Sequence, residues 1–179
     1  MRRVVALLVV AGVALALACG AVLLGAGGGS ARADPSQEQS LFKRTLLDDG
    51  KTSAGVKRLL RSGAGFVDPR SGFVDVTGDG RQDALVLVTT GGAAGSVALY
   101  VLSTHGQNGK DLALKAIFRM QSLYRATLRI DGTTLSVLEP RWSPGDDLCC
   151  PSKLRERDYQ FVPRTTSFRR VADHDVPFA

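Results

Sequence analysis

Ala84-Leu85-Val86-Leu87-Val88 and Val97-Ala98-Leu99-Tyr100-Val101-Leu102 are apolar almost without a break. A strand with one wet face alternates apolar and polar residues, so a continuous run predicts a strand covered on both faces. A short buried helical segment has the same composition. Gly91-Gly92-Ala93-Ala94-Gly95 lies between the two runs and supports a hairpin.

Moving outward, Ser36 to Asp49 predicts a helix with Leu41, Phe42, Thr45 and Leu46 on one face, and Gly50 as a left-handed stop. Ser53 to Ser62 predicts a second helix with Val56, Leu59 and Leu60 inward and Gly63 as its stop. Two helices with such narrow apolar stripes need a sheet to lie on. Leu112, Leu114, Ala116 and Phe118 alternate with more polar neighbours, as a half-buried strand does. Ala126, Leu128 and Ile130 alternate with Arg125, Thr127 and Arg129, and an Asp131-Gly132 turn would lead into Thr133 to Leu138. Glu139 to Lys153 predicts a long irregular loop. Arg155 to Val162 and Ser167 to Val171 predict a last hairpin around Pro163-Arg164-Thr165-Thr166, with Asp173 onward a loose tail. The expected fold class is α+β: two short N-terminal helices packed on a curved, mainly antiparallel sheet of about six to eight strands.

The N-terminus points outside the cytoplasm. Arg2 and Arg3 precede an uncharged, mostly apolar run from Val4 to Leu24, and Ala31-Arg32-Ala33 follows. This is the order of a secretory signal, with residues 1–33 as the leader and 34–179 as a single exported domain. At that length the apolar run can also serve as an uncleaved anchor. Cys19 is a candidate for lipidation, although Ala16-Leu17-Ala18 before it is a poor lipobox. Of the 23 basic residues only Arg2, Arg3 and Arg32 lie in the leader, while all 17 acidic ones lie beyond it, leaving about +3 on the domain. The basic pI is therefore partly a leader effect, and nucleic acid is not expected as a partner. The membrane is expected to matter only through the N-terminal segment.

Asp75-Val76-Thr77-Gly78-Asp79-Gly80-Arg81-Gln82-Asp83 carries the one specific chemical pattern. Alternate residues of a tight loop point side chains inward, so Asp75, Thr77, Asp79 and Asp83, with the Arg81 carbonyl, make an oxygen set for a hard cation. Gly80 permits the closing turn. The expected cofactor is a structural calcium ion. Val86 stands where an EF-hand needs its bidentate acid, so this is no EF-hand. The alternative is an Asp/Gly turn held by its own hydrogen bonds.

Cys149 and Cys150 are the domain's only cysteines and are adjacent. An oxidising compartment favours a disulfide, either between the two neighbours or within a dimer. Neighbouring Cα atoms are about 3.8 Å apart, below the usual disulfide range. An envelope thiol, redox or hydrolytic enzyme using this pair, with His105 or His174 as base, is the rival reading. Trp142, Asp146 and Asp147 in the same loop are candidate binding residues. Lys153, Arg155, Arg157, Arg164, Arg169 and Arg170, with Tyr159 and Phe161, are a candidate patch for an anionic cell-envelope component, against a solvated face balanced by Glu156 and Asp158. No G-x-S-x-G, P-loop or H-E-x-x-H occurs.

The Asp75–Asp83 loop resembles the DxDxDGxxD calcium loops that precede a strand in FG-GAP repeats. The exported N-terminus, this loop leading into Ala84-Leu85-Val86, and Cys149-Cys150-Pro151-Ser152 before Lys153-Leu154-Arg155 are together similar to the LppP/LprE-type exported lipoproteins of actinobacteria. The resemblance spans roughly Leu41 to Val171. It implies an extracytoplasmic location and transfers no catalytic residue. The expectation is a non-enzymatic, secreted or envelope-associated binding protein.

Overall fold

The structure is a computed structural model describing residues 35–68, 72–105 and 113–178. The expected leader and Cys19 lie outside them, as does Leu112. Ala33–Ala179 forms one compact unit. Among the described residues no helix is long and apolar enough to cross a membrane.

Helices α1 (Pro35–Asp48) and α2 (Ala54–Ser62) come first. The strands follow as β1 (Gly65–Val67), β2 (Gly72–Val74), β3 (Asp83–Thr90), β4 (Ser96–Ser103), β5 (Lys115–Gln121), β6 (Thr127–Asp131), β7 (Thr134–Arg141), β8 (Lys153–Val162) and β9 (Ser167–Pro177). The fold is α+β, and its strands divide between two antiparallel sheets. Sheet A runs β1-β3-β4-β5, with β2 also paired to β3, and sheet B runs β6-β7-β8-β9.

The continuous apolar runs are β3 and β4, at the centre of three layers. Ala84, Val86, Val88, Ala98, Tyr100 and Leu102 face the helices and pack with Phe42, Leu46, Val56 and Leu60. Leu85, Leu87, Leu99 and Val101 face sheet B and meet Leu128, Leu135 and Val137. Each buried Val, Leu or Phe among them contributes about 1.5–3 kcal/mol by leaving water, so neither cover is dispensable.

One bulge adjusts this pair and a second adjusts the pairing of β4 with β5. Val88 pairs with Ala98 but Thr89 pairs with Ser96, leaving Val97 extra. The carbonyl of Val97 accepts from Leu123 N (2.9 Å), and Ser96 O accepts from Ala126 N (3.2 Å), which seats the crossing from sheet A to sheet B. Gly95 has φ +56°, and a Cβ there would sit 3.4 Å from Arg125 Cα. On β5, Ile117 is the extra residue between Ala116 and Phe118. It moves Phe118 to the sheet-B side while Ala116 stays toward the helices, so simple alternation fails there.

The second helix and its Gly63 stop are as the sequence predicts, while the other boundaries differ. Ser53 caps α2, its Oγ accepting from Val56 N (3.3 Å), and Gly63 closes it at φ +75°. Gly50 does not take positive φ; Asp49 organises that joint with its side chain. Asp131 pairs with Thr134, so the hairpin turn is Gly132-Thr133, one residue later than expected. Only Gly132 has positive φ, as a turn with glycine first requires. β7 extends to Arg141, which shortens the irregular loop to 142–152. The tail from Asp173 is ordered as the end of β9, paired with β8 from Arg157↔Asp173 to Lys153↔Pro177.

A polar joint fastens the helices to sheet A. Tyr100 is fully buried, and its hydroxyl donates to Gln121 Oε1 (3.0 Å). That oxygen also accepts from Ser53 N (2.6 Å), while Gln121 Nε2 donates to Lys51 O (3.2 Å). Asp49 accepts from Arg119 Nε (2.6 Å) and Nη2 (3.0 Å). Burial pushes the Asp49 carboxyl up, but Arg119 and the Lys51 N–H outweigh it and hold it below the usual carboxylate range. Gln121→Ala strands the Tyr100 hydroxyl and the Ser53 N–H, and is expected to cost about 2 kcal/mol in urea unfolding. Adding Tyr100→Phe should recover part of that loss; a Gln121→Ala cost below about 0.5 kcal/mol would mean that packing alone holds the joint.

Candidate functional site

The acidic loop joins β2 to β3, and its backbone winds round its own carboxylates. Asp75 Oδ1 accepts from Gly78 N (2.7 Å) and Asp79 N (3.1 Å), and its Oδ2 from Gly80 N (2.8 Å). Asp79 Oδ1 accepts from Arg81 N (2.9 Å). Asp83 Oδ2 accepts from Val76 N (3.1 Å) and Thr77 N (3.0 Å). Every backbone N–H from Val76 to Arg81 thus ends on one of the three acids. Gly78 (φ +70°) and Gly80 (φ +81°) supply the left-handed conformations this path needs. Thr77 Oγ1 lies 3.4 Å from Asp75 Oδ1.

His105 joins this loop, and no sequence spacing announces it. Its Nδ1 lies 2.8 Å from Asp79 Oδ2, and its ring stands edge-on to Phe161, 4.8 Å between centroids. Partial burial pushes the Asp79 carboxyl up, but the Arg81 N–H and His105 outweigh it and hold the group below its ordinary value.

The donor set suits a hard cation in kind: carboxylates, a hydroxyl and a backbone carbonyl. In arrangement, no three His, Cys, Asp or Glu side chains among the described residues gather at metal-ligand spacing. One acceptor is left over. Asp83 is fully buried, and its Oδ1 has no hydrogen-bond partner. A buried carboxylate oxygen without a donor is costly, and a cation would satisfy it. Carboxylate oxygens that already accept one N–H retain a further lone pair. Asp79 would have to exchange His105 for the ion.

Loop 142–152 is the second expected site. Cys149 and Cys150 are disulfide-bonded to each other, with Cα atoms 3.8 Å apart, and both are exposed. Asp146 is the clasp: its Oδ2 accepts from Ser143 N (2.7 Å) and Ser152 N (2.8 Å). These two N–H groups hold its carboxyl below the usual range. Trp142 packs edge-on to Tyr124 at 5.7 Å, with its Nε1 buried and unpaired. Arg125 Nη1 donates to Leu148 O (3.3 Å), while the Leu148 side chain is 88% exposed. Of the three candidate binding residues, Asp146 is engaged within the loop, Trp142 braces its root, and Asp147 is exposed.

The basic residues separate into two groups. Arg155 makes a two-point pair with Asp173 (2.7 and 2.8 Å), and Arg170 donates to the same carboxylate (2.8 Å). Hydrogen bonding from Arg155 lowers the Asp173 carboxyl to about 2. Arg157 pairs with Glu139. Lys153, Arg164 and Arg169 are exposed. Tyr159 and Phe161 turn inward, to Phe118 (4.9 Å) and Phe168 (5.4 Å) respectively, so they do not interleave with the exposed charges. Neither histidine partners the cysteine pair: His105 is held by Asp79, and His174 Nε2 lies 3.8 Å from Glu156.

The chain matches no protein-family model, no curated protein and no solved structure. Asp83→Ala removes the acceptor for two N–H groups at the start of β3, and is expected to cost about 2–3 kcal/mol in denaturant unfolding. A cost below about 1 kcal/mol would mean that the loop folds without this acid.

Proposed function

We propose that this chain is an exported, non-enzymatic binding protein, secreted or associated with the cell envelope, whose 75–83 loop holds a structural calcium ion. The observation that carries the metal reading is the buried, unpaired Oδ1 of Asp83 within a set of oxygen donors. Asp75, Thr77, Asp79, the Arg81 carbonyl and Asp83 would hold the ion. Its part is to fix the loop ahead of β3, the strand on which both cores depend. The leader-like N-terminus supports export, as does the resemblance to the LppP/LprE-type lipoproteins. Loop 142–152 is the proposed contact surface. Exposed Lys153, Arg164 and Arg169 favour an anionic envelope component as partner. A thiol enzyme is disfavoured because the bonded cysteines present no thiolate and neither histidine partners them.

Affinity in the range of extracellular modules is about 10⁻⁴ to 10⁻³ M. A ligand that binds only the folded state raises its stability. In about 10 mM calcium the melting point of the Ala33–Ala179 unit is expected to rise by about 3–8 °C over its value in chelator. Asp79→Ala should abolish the rise. Equal melting points in calcium and chelator would mean that the loop is a self-bonded turn.

A further inference from the structure

We propose that the Cys149–Cys150 bond is a thiol–disulfide exchange site, opened in the folded protein by a dithiol reductant, and that its opening reshapes the 142–152 loop. A cross-link stabilises a fold chiefly by restricting the unfolded chain, and that effect grows with the length of chain enclosed. This bond joins neighbours, at a sequence separation of 1, so it restricts almost nothing. The two sheet cores and the Tyr100–Gln121 joint account for the fold without it.

Both cysteines are exposed, and they follow Leu148, which is 88% exposed. Exchange needs a thiolate to reach one sulfur in line with the bond that breaks. Buried disulfides refuse that approach; an exposed pair at the end of a loop permits it.

The 142–152 loop is supported without the bond. Its base is closed by Asp146 on the Ser143 and Ser152 N–H groups, and by the Ser143 and Ser152 hydroxyls 2.9 Å apart. None of these contacts involves a sulfur. The tip hangs on Arg125 to Leu148 O (3.3 Å) and on Cys150 N to Asp147 O (3.0 Å). The disulfide closes a small ring around the 149–150 peptide. Opening it frees rotation within that ring and shifts the tip's hold on Arg125, the chain neighbour of the Tyr124 that packs on Trp142, while the Asp146 latch stays closed.

The step balances as ordinary exchange. A reductant thiolate bonds to one cysteine sulfur, the Sγ–Sγ bond breaks, and its electron pair leaves on the other sulfur, which takes a proton. The reductant's second thiolate then attacks the mixed disulfide. The reductant leaves as its own disulfide, and the second cysteine sulfur takes a proton. Cys149 and Cys150 gain two electrons and two protons in all.

Trp142, the only tryptophan in the sequence, sits at the root of this loop and serves as reporter. The Ala33–Ala179 unit, which contains both cores and is compact on its own, is treated with dithiothreitol in native buffer, then with iodoacetamide. The expected result is alkylation of Cys149 and Cys150 without denaturant, a change in Trp142 emission, and a melting point within about 2 °C of the oxidised protein, since so short a closure adds little stability. A Cys149→Ser/Cys150→Ser double variant should melt alike and show the reduced protein's emission. Alkylation that requires denaturant overturns the proposal, as does unaltered emission after alkylation. Loss of folding in the reduced protein or the double variant would make the bond structural and overturns it too. Neither arm contains calcium, so the result is independent of the metal reading.

Discussion

The pairing of β3 with β4 is the constraint on which the rest of the structure depends. Both strands are apolar on both faces, so the pair cannot border water on either side. Helices α1 and α2 cover one face and sheet B the other. The remaining features adapt to that demand. The Val97 bulge turns a carbonyl toward Leu123, so the chain can leave sheet A and begin sheet B. The Ile117 bulge swings Phe118 into the gap between the sheets, against Tyr159 and Phe168.

Charge follows a similar logic. Three acids within one short loop repel one another unless something positive intervenes. Here the first intervention is the backbone itself, whose N–H groups converge on Asp75, Asp79 and Asp83. His105 adds a side chain from the end of β4, and its ring reaches Phe161 of β8. The acidic loop is thereby tied to both sheets. The Asp83 oxygen left unpaired is the point at which this self-sufficiency stops.

Much of this was legible in the residues. The runs at Ala84–Val88 and Val97–Leu102 announce central strands because both faces read apolar. The helical faces follow from Phe42 and Leu46, and from Val56 and Leu60, spaced by one turn. What remained hidden involves partners distant in the chain. β9 from Asp173 to Pro177 reads as a polar tail because its order comes from β8: the ladder itself and the Arg155–Asp173 pair. β1 and β2 are three residues each, too short for any periodicity to show. At the candidate site, the acid spacing is legible but the use of each oxygen is not. Spacing says which groups face inward; it is silent on whether a backbone N–H or an ion will meet them. Asp146 shows the same limit, since an acid in a loop reads as a contact until its two N–H donors are known.

The sheet margins carry a further consequence. A bare strand edge is a template for another chain, and long flat margins invite stacking of molecules into aggregates. One margin of sheet A is broken into β1 and β2, two short pieces beside β3. The outer margin of sheet B is β9, the longest strand among the described residues and the most exposed to such templating. It is interrupted where Val171 bulges out of register, and it carries Arg169, Arg170, Asp173, His174 and Asp175 along its length. A second copy approaching that margin would have to desolvate these charges and match an irregular register. The strand that looks least like a strand in sequence is therefore the one whose polarity opposes edge pairing with a second copy.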